Sequence, residues 1–171
     1  VYIEPIYVMR IEDRHGNLIS DFVPQQIEAI SEETAYLMVQ LMKNVVDRGT
    51  AGRLRWFFQF EAELGGKTGT TQNQSDGWYM GIAPKLSAGV WVGAEDRSVH
   101  FDNLSKGSGS YMALPIYGYF MEKVFADSTI NITQEDIFPE PPGFNMNLDC
   151  PDVEREAGVE PRGLYTEPDE F

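Results

Sequence analysis

Apolar residues recur at helical spacing over residues 31–48. Thr34, Met38, Leu41, Met42 and Val45 fall on one side, and Leu37 and Val46 broaden the stripe. Ser31 is placed to cap that helix, with Glu32 and Glu33 in the first turn near the positive end of its dipole. Gly49 stands where a left-handed stop would end it. Such broad coverage predicts a helix packed on a sheet. Residues 64–71, 77–83 and 87–94 read as three successive strands. Asn73-Gln74-Ser75-Asp76 is the first connection and Ala83-Pro84-Lys85-Leu86 a compact turn. Trp78, Met80 and Ile82 alternate, and Val90 and Val92 stand opposite Trp91.

The remaining elements are less regular. Residues 5–20 read as a hairpin turning at His15-Gly16-Asn17, and apolar residues on both faces predict a strand buried on both sides. Gly49-Thr50-Ala51-Gly52 is a bend, and the pattern assigns no element to 53–58. An irregular Ser/Gly-rich loop covers 98–109. A second helix is expected around 109–125, with Leu114, Tyr117, Met121 and Phe125 as its apolar path. Pro115 is best tolerated in a first turn, so that helix should start late or kink. After about residue 131 the periodicity fades, and Pro139, Pro141, Pro142 and Gly143 break regular structure. The division expected is a domain over 1–130 and an acidic, Pro-rich extension or linker over 131–171.

Composition narrows the classes. The chain has 171 residues, 42% of them hydrophobic, which is enough for one domain with a core. Its formal charge of −14 and the lack of a basic stripe argue against nucleic-acid binding. The acidity is concentrated late, since residues 127–171 hold 12 acids and two arginines. Cys150 is the only cysteine, and no apolar run is long enough to cross a bilayer. The chain opens at Val1 with neither Met nor a signal segment, as expected of a piece of a longer protein.

The candidate chemistry lies in Gly65-Gly66-Lys67-Thr68-Gly69-Thr70-Thr71. On a strand beside a cleft, Lys67 can stabilise negative charge, and the Thr68 and Thr70 hydroxyls can bind a carboxylate. Gly69 leaves room for a peptide to lie along the strand edge. Standing alone, the tripeptide reads more readily as a surface charge, a strand former and a bulge. A phosphate-binding loop would need glycine where Glu61 stands. His15 and His100 lack acid partners in sequence and read as surface or structural residues. No Cys/His cluster has metal spacing, so neither metal nor cofactor is expected. Asp76, Asp96 and Asp102 give no reasoned acid–base pair. Ser108 and Ser110 lie outside a nucleophile elbow. Trp78, Tyr79 and Trp91 read as sheet core rather than groove lining.

Taken together, the segments 65–73, 76–84 and 89–93 resemble the last third of the transpeptidase domain of penicillin-binding proteins, most closely the bifunctional (class A) type. Thr34–Met38, Val45–Ala51 and Gly109-Ser110 through Phe120-Met121 are similar to helices of the same family, so the likeness covers roughly residues 5–125. The resemblance implies an α/β fold, an antiparallel sheet flanked by helices of the penicillin-binding transpeptidase and serine beta-lactamase type, here as a partial domain. It implies a peptidoglycan D,D-transpeptidase that crosslinks stem peptides through an acyl-serine and binds beta-lactams. Lys67 would then act electrostatically, Thr68 and Thr70 would hold the substrate carboxylate, Gly69 would allow close approach, and the Thr70 N–H would donate into the oxyanion hole.

The family's Ser-x-x-Lys and Ser-x-Asn elements are absent here. Ser31-Glu32-Glu33-Thr34 and Ser105-Lys106-Gly107-Ser108 do not supply them. The nucleophile and base are therefore expected in a missing upstream half of the domain, and this chain alone is expected to be inactive. The resemblance also implies a cell-envelope location and a membrane-anchored parent. A noncatalytic beta-lactam sensor or scaffold of the same fold, and an acidic protein-interaction domain, remain alternatives.

Overall fold

The computed structural model describes residues 1–146 and Leu148. Cys150 and the most acidic part of the extension lie outside the described residues. The chain begins with strands β1 (Tyr2–Ile3), β2 (Arg10–Glu12), β3 (Leu18–Asp21) and β4 (Gln26–Ile27). It continues through helices α1 (Glu32–Asp47) and α2 (Arg53–Trp56), then strands β5 (Gly65–Thr70), β6 (Asp76–Ala83) and β7 (Leu86–Gly93). Helices α3 (Leu104–Gly107) and α4 (Gly109–Ala126) follow. β5, β6 and β7 form an antiparallel sheet in that order, while β1 pairs with β4 and β2 with β3.

The β6–β7 connection is tight because the register runs without a break from Asp76↔Gly93 to Ala83↔Leu86. Alternation along β6 buries Gly77, Tyr79, Gly81 and Ala83. α4 lies against that face, with Ala113, Leu114, Tyr117 and Met121 buried. The glycines make this approach possible: a Cβ on Gly81 would stand 2.4 Å from the Tyr117 ring. Phe58 and Phe60, which follow α2, pack edge-on against Tyr119 and Phe125 of α4, at centroid distances of 5.1 and 5.4 Å. Leu54, Leu64 and Val46 complete the buried cluster. Tyr79 and Tyr117 meet inside it at 4.8 Å. Burial pushes both phenols up, Tyr117 to about 12, so both are neutral at physiological pH.

Several expectations change on contact with this packing. α1 is capped by Ser31, whose side chain accepts from the Thr34 N–H. Val45, Val46 and Met42 of the expected stripe do turn inward, joined by Ala35 and Val39, while Met38 and Leu41 are exposed. Gly49 does not adopt a left-handed conformation, since the positive-φ glycines are Gly16 and Gly143. It is small because a Cβ there would stand 2.9 Å from the Val45 backbone. α4 starts at Gly109 and runs through Pro115, because its buried face outweighs one lost backbone hydrogen bond. The 98–109 loop contains the turn α3, capped by Asn103.

The N-terminal hairpin is displaced and exposed rather than buried on both sides. β2 and β3 pair across a turn in which Asp13 accepts from the His15 and Asn17 N–H groups at 2.7 and 2.9 Å. Ile11, Leu18 and Ile19 all face solvent, because no layer of the described residues covers them. Trp78 and Trp91 are also not core: they pair across β6 and β7 on the sheet face away from α4 and are 45% and 48% exposed. Tyr79 alone of the three is buried.

Residues 131–144 lie back along the domain. Lys85 holds the Asn131 carbonyl at 3.2 Å and the Asp136 carboxylate at 2.5 Å. Gln134 accepts from the Glu61 N–H at 3.0 Å, and Glu63 accepts from the Phe138 N–H at 2.7 Å. Tyr36 of α1 donates to Glu140 at 3.3 Å and meets the Phe144 ring edge-on at 5.0 Å. Burial pushes the Glu63 carboxyl up. Hydrogen bonds from Lys43 and Phe138, with the charges of Lys43 and Arg55, more than offset this and hold it below its ordinary value.

Candidate functional site

β5 is an edge strand. It pairs with β6 from Gly65↔Ile82 to Thr70↔Gly77, and among the described residues no strand pairs with its other side. Its first two residues, Gly65 and Gly66, are buried. Lys67 and Thr70 are exposed, and Thr68 and Gly69 are half-buried. Gly66 is demanded by packing, since a Cβ there would stand 2.3 Å from the Tyr79 hydroxyl and 2.6 Å from the Met80 carbonyl. Gly69 is not: its Cβ would make only an ordinary 3.5 Å contact with Trp78. The space over Gly69 is open.

The ladder sets which backbone groups face outward. The Thr71 N–H donates to the Asp76 carbonyl at 3.0 Å. Because N–H groups alternate sides along a strand, the Thr70 N–H points to the unpaired edge. The same alternation turns the Thr68 carbonyl outward, and Lys67 Nζ donates to it at 2.7 Å. The Lys67 ammonium is thus held along the open edge rather than extended into solvent.

The two hydroxyls are each tied from behind. Thr70 Oγ1 accepts from the Gly109 N–H at 3.0 Å, at the start of α4. Thr68 Oγ1 and Thr50 Oγ1 lie 2.9 Å apart. Below them Thr71 fixes the strand exit. Its Oγ1 receives the Asp76 N–H at 3.0 Å, and it lies 2.9 Å from Ser75 Oγ. Asn73 and Gln74, both at positive φ, complete this turn. Asp76 is engaged by Thr71, and Asp96 accepts from the Ser98 N–H at 2.8 Å. His15 and His100 are exposed.

Sequence reading did not single out Thr50, Gly109 or Arg53. Thr50 and Thr68 are separated by 18 residues, and no local period links them. Gly109 matters because a Cβ would stand 2.3 Å from the Gly69 carbonyl and 2.5 Å from the Trp78 carbonyl. The Arg53 guanidinium lies 5.3 Å from the Phe57 ring and 5.5 Å from the Tyr111 ring, joining the start of α2 to the start of α4.

An antiparallel sheet backed by a long helix, with Lys-Thr-Gly on its open edge, defines the penicillin-binding transpeptidase fold class. The family model described as the penicillin binding protein transpeptidase domain matches residues 1–113, and the chain belongs to that family. Penicillin-binding protein 1A of Aquifex aeolicus is 31% identical over 151 residues, covering 88% of this chain and 19% of that protein. Penicillin-binding protein 1B of Buchnera aphidicola subsp. Acyrthosiphon pisum is 36% identical over 107 residues, 63% of this chain and 13% of that protein. The crystal structure of penicillin-binding protein 1A from Haemophilus influenzae shares the fold with a TM-score of 0.61 at 21% identity, over 82% of this chain and 25% of that one. The chain therefore spans under a fifth of the curated relatives it matches.

Proposed function

We propose that this chain is the C-terminal part of the transpeptidase domain of a bifunctional penicillin-binding protein. Residues 1–130 would form the domain portion and 131–171 an extension from it. In this reading the parent is a peptidoglycan D,D-transpeptidase of the cell envelope, anchored to the membrane through a segment elsewhere. Among the described residues no helix is long and apolar enough to cross a membrane. Its ligands are stem peptides ending in D-alanyl-D-alanine, and beta-lactams.

The observation that carries this reading is the open edge of β5, where Lys67, the Thr68 and Thr70 hydroxyls and the outward Thr70 N–H share one ledge. A peptide laid along that edge can add as a strand. Its terminal carboxylate meets Thr68 and Thr70, and Lys67 lowers the cost of negative charge there. A serine from the rest of the domain attacks the penultimate carbonyl. The Thr70 N–H then stabilises the oxyanion, D-alanine leaves, and an amine of a neighbouring stem peptide takes the acyl group. The uncovered face bearing Trp78, Met80 and Trp91, with Met38 and Leu41 on α1, supports the presence of further domain structure.

Intact-mass analysis with a labelled penicillin tests this. The full-length protein should gain one adduct on a serine outside residues 1–171, and the 171-residue chain none. An adduct on the isolated chain, or no adduct on the full-length protein, would overturn the assignment.

A further inference from the structure

We propose that Thr50 is a positioning residue for the ledge, acting through Thr68. This rests on the reading of residues 67–70 as a carboxylate grip. A hydroxyl has a single proton to donate. The Thr50 and Thr68 oxygens are 2.9 Å apart, so one of the two must donate to the other. If Thr68 gives its proton to a ligand carboxylate, Thr50 is the donor of the pair. Thr50 then occupies a lone pair on Thr68 and leaves its proton directed to the ligand. Thr70 is arranged in the same way, because the Gly109 N–H fills its acceptor site at 3.0 Å and frees its proton. Each carboxylate-facing hydroxyl has a donor behind it.

Thr50 is well suited to hold that geometry. It sits in a bend closed by the Ala51 N–H on the Val45 carbonyl at 3.0 Å and the Gly52 N–H on the Gly49 carbonyl at 3.1 Å. Its neighbour Ala51 is completely buried. The bend is thereby anchored to the core while the Thr50 side chain reaches the edge strand. Thr50 is assigned no contact with the reacting atoms.

The test uses the full-length protein and compares acylation by a penicillin with acylation by its methyl ester, which lacks the anionic carboxylate. Thr50→Val should slow the acid about fivefold, a loss of the size expected for one hydrogen bond between neutral groups. The ester rate should stay within about twofold. Thr50→Ser should restore the acid rate. The Thr50→Val/Thr68→Val pair should be no slower than Thr68→Val alone, because the two side chains act as one unit. An unchanged acid rate in Thr50→Val overturns the proposal while leaving the ledge standing. So does equal slowing of acid and ester, or a further loss in the double variant. A wild-type protein that reacts with neither compound overturns the ledge, and this proposal with it.

Discussion

Lys67→Ala is expected to slow penicillin acylation of the full-length protein by about 10²–10³-fold, the range seen when one preorganised electrostatic donor is removed from an acyl-transfer site. The side chain is exposed and, among the described residues, bonded only to the Thr68 carbonyl of its own strand. Its removal should therefore change folding stability by less than about 0.5 kcal/mol. The two quantities separate the roles. A large loss in the acylation rate with an unchanged denaturation midpoint identifies a charge that serves the ligand. An unchanged acylation rate would make Lys67 an ordinary surface residue.

Gly109→Ala is expected to do the reverse and damage the scaffold. The added methyl would stand 2.3 Å from the Gly69 carbonyl and 2.5 Å from the Trp78 carbonyl. Both are backbone oxygens inside the β5–β6 ladder and cannot rotate away. Either α4 lifts from the sheet or the ladder bends, at a cost of about 3 kcal/mol. Lifting α4 also withdraws the Gly109 N–H from Thr70. Urea denaturation of the 171-residue chain measures the loss. Gly69→Ala is the matched control, since its methyl would meet only the Trp78 side chain at 3.5 Å. Equal midpoints for the two variants would contradict this packing.

How much of this was legible beforehand depends on the range of the forces involved. The three successive strands and the capped helix α1 follow from alternation, turn residues and Ser31, all local signals. The Lys-Thr-Gly edge was legible because glycine, hydroxyl and charge lie in one short run. The inward face of α1 was legible only in part. Two apolar stripes run along it, and only the sheet decides that Ala35, Val39, Met42 and Val46 turn in while Met38 and Leu41 stay out. Burial of the N-terminal hairpin was not legible for a related reason, since its apolar residues have no covering layer among those described. Residue type alone favours a core position for Trp78 and Trp91, yet they occupy the face opposite α4. The donors behind the ledge were invisible because Thr50 and Gly109 reach Thr68 and Thr70 only through the tertiary fold.

The position of the ligand carboxylate is the most direct measurement. In a crystal structure of the full-length protein acylated by a penicillin, it should lie about 3 Å from both Thr68 Oγ1 and Thr70 Oγ1, with the acyl oxygen at the Thr70 N–H. A carboxylate bound elsewhere, with residues 67–70 out of reach of the adduct, would contradict the account.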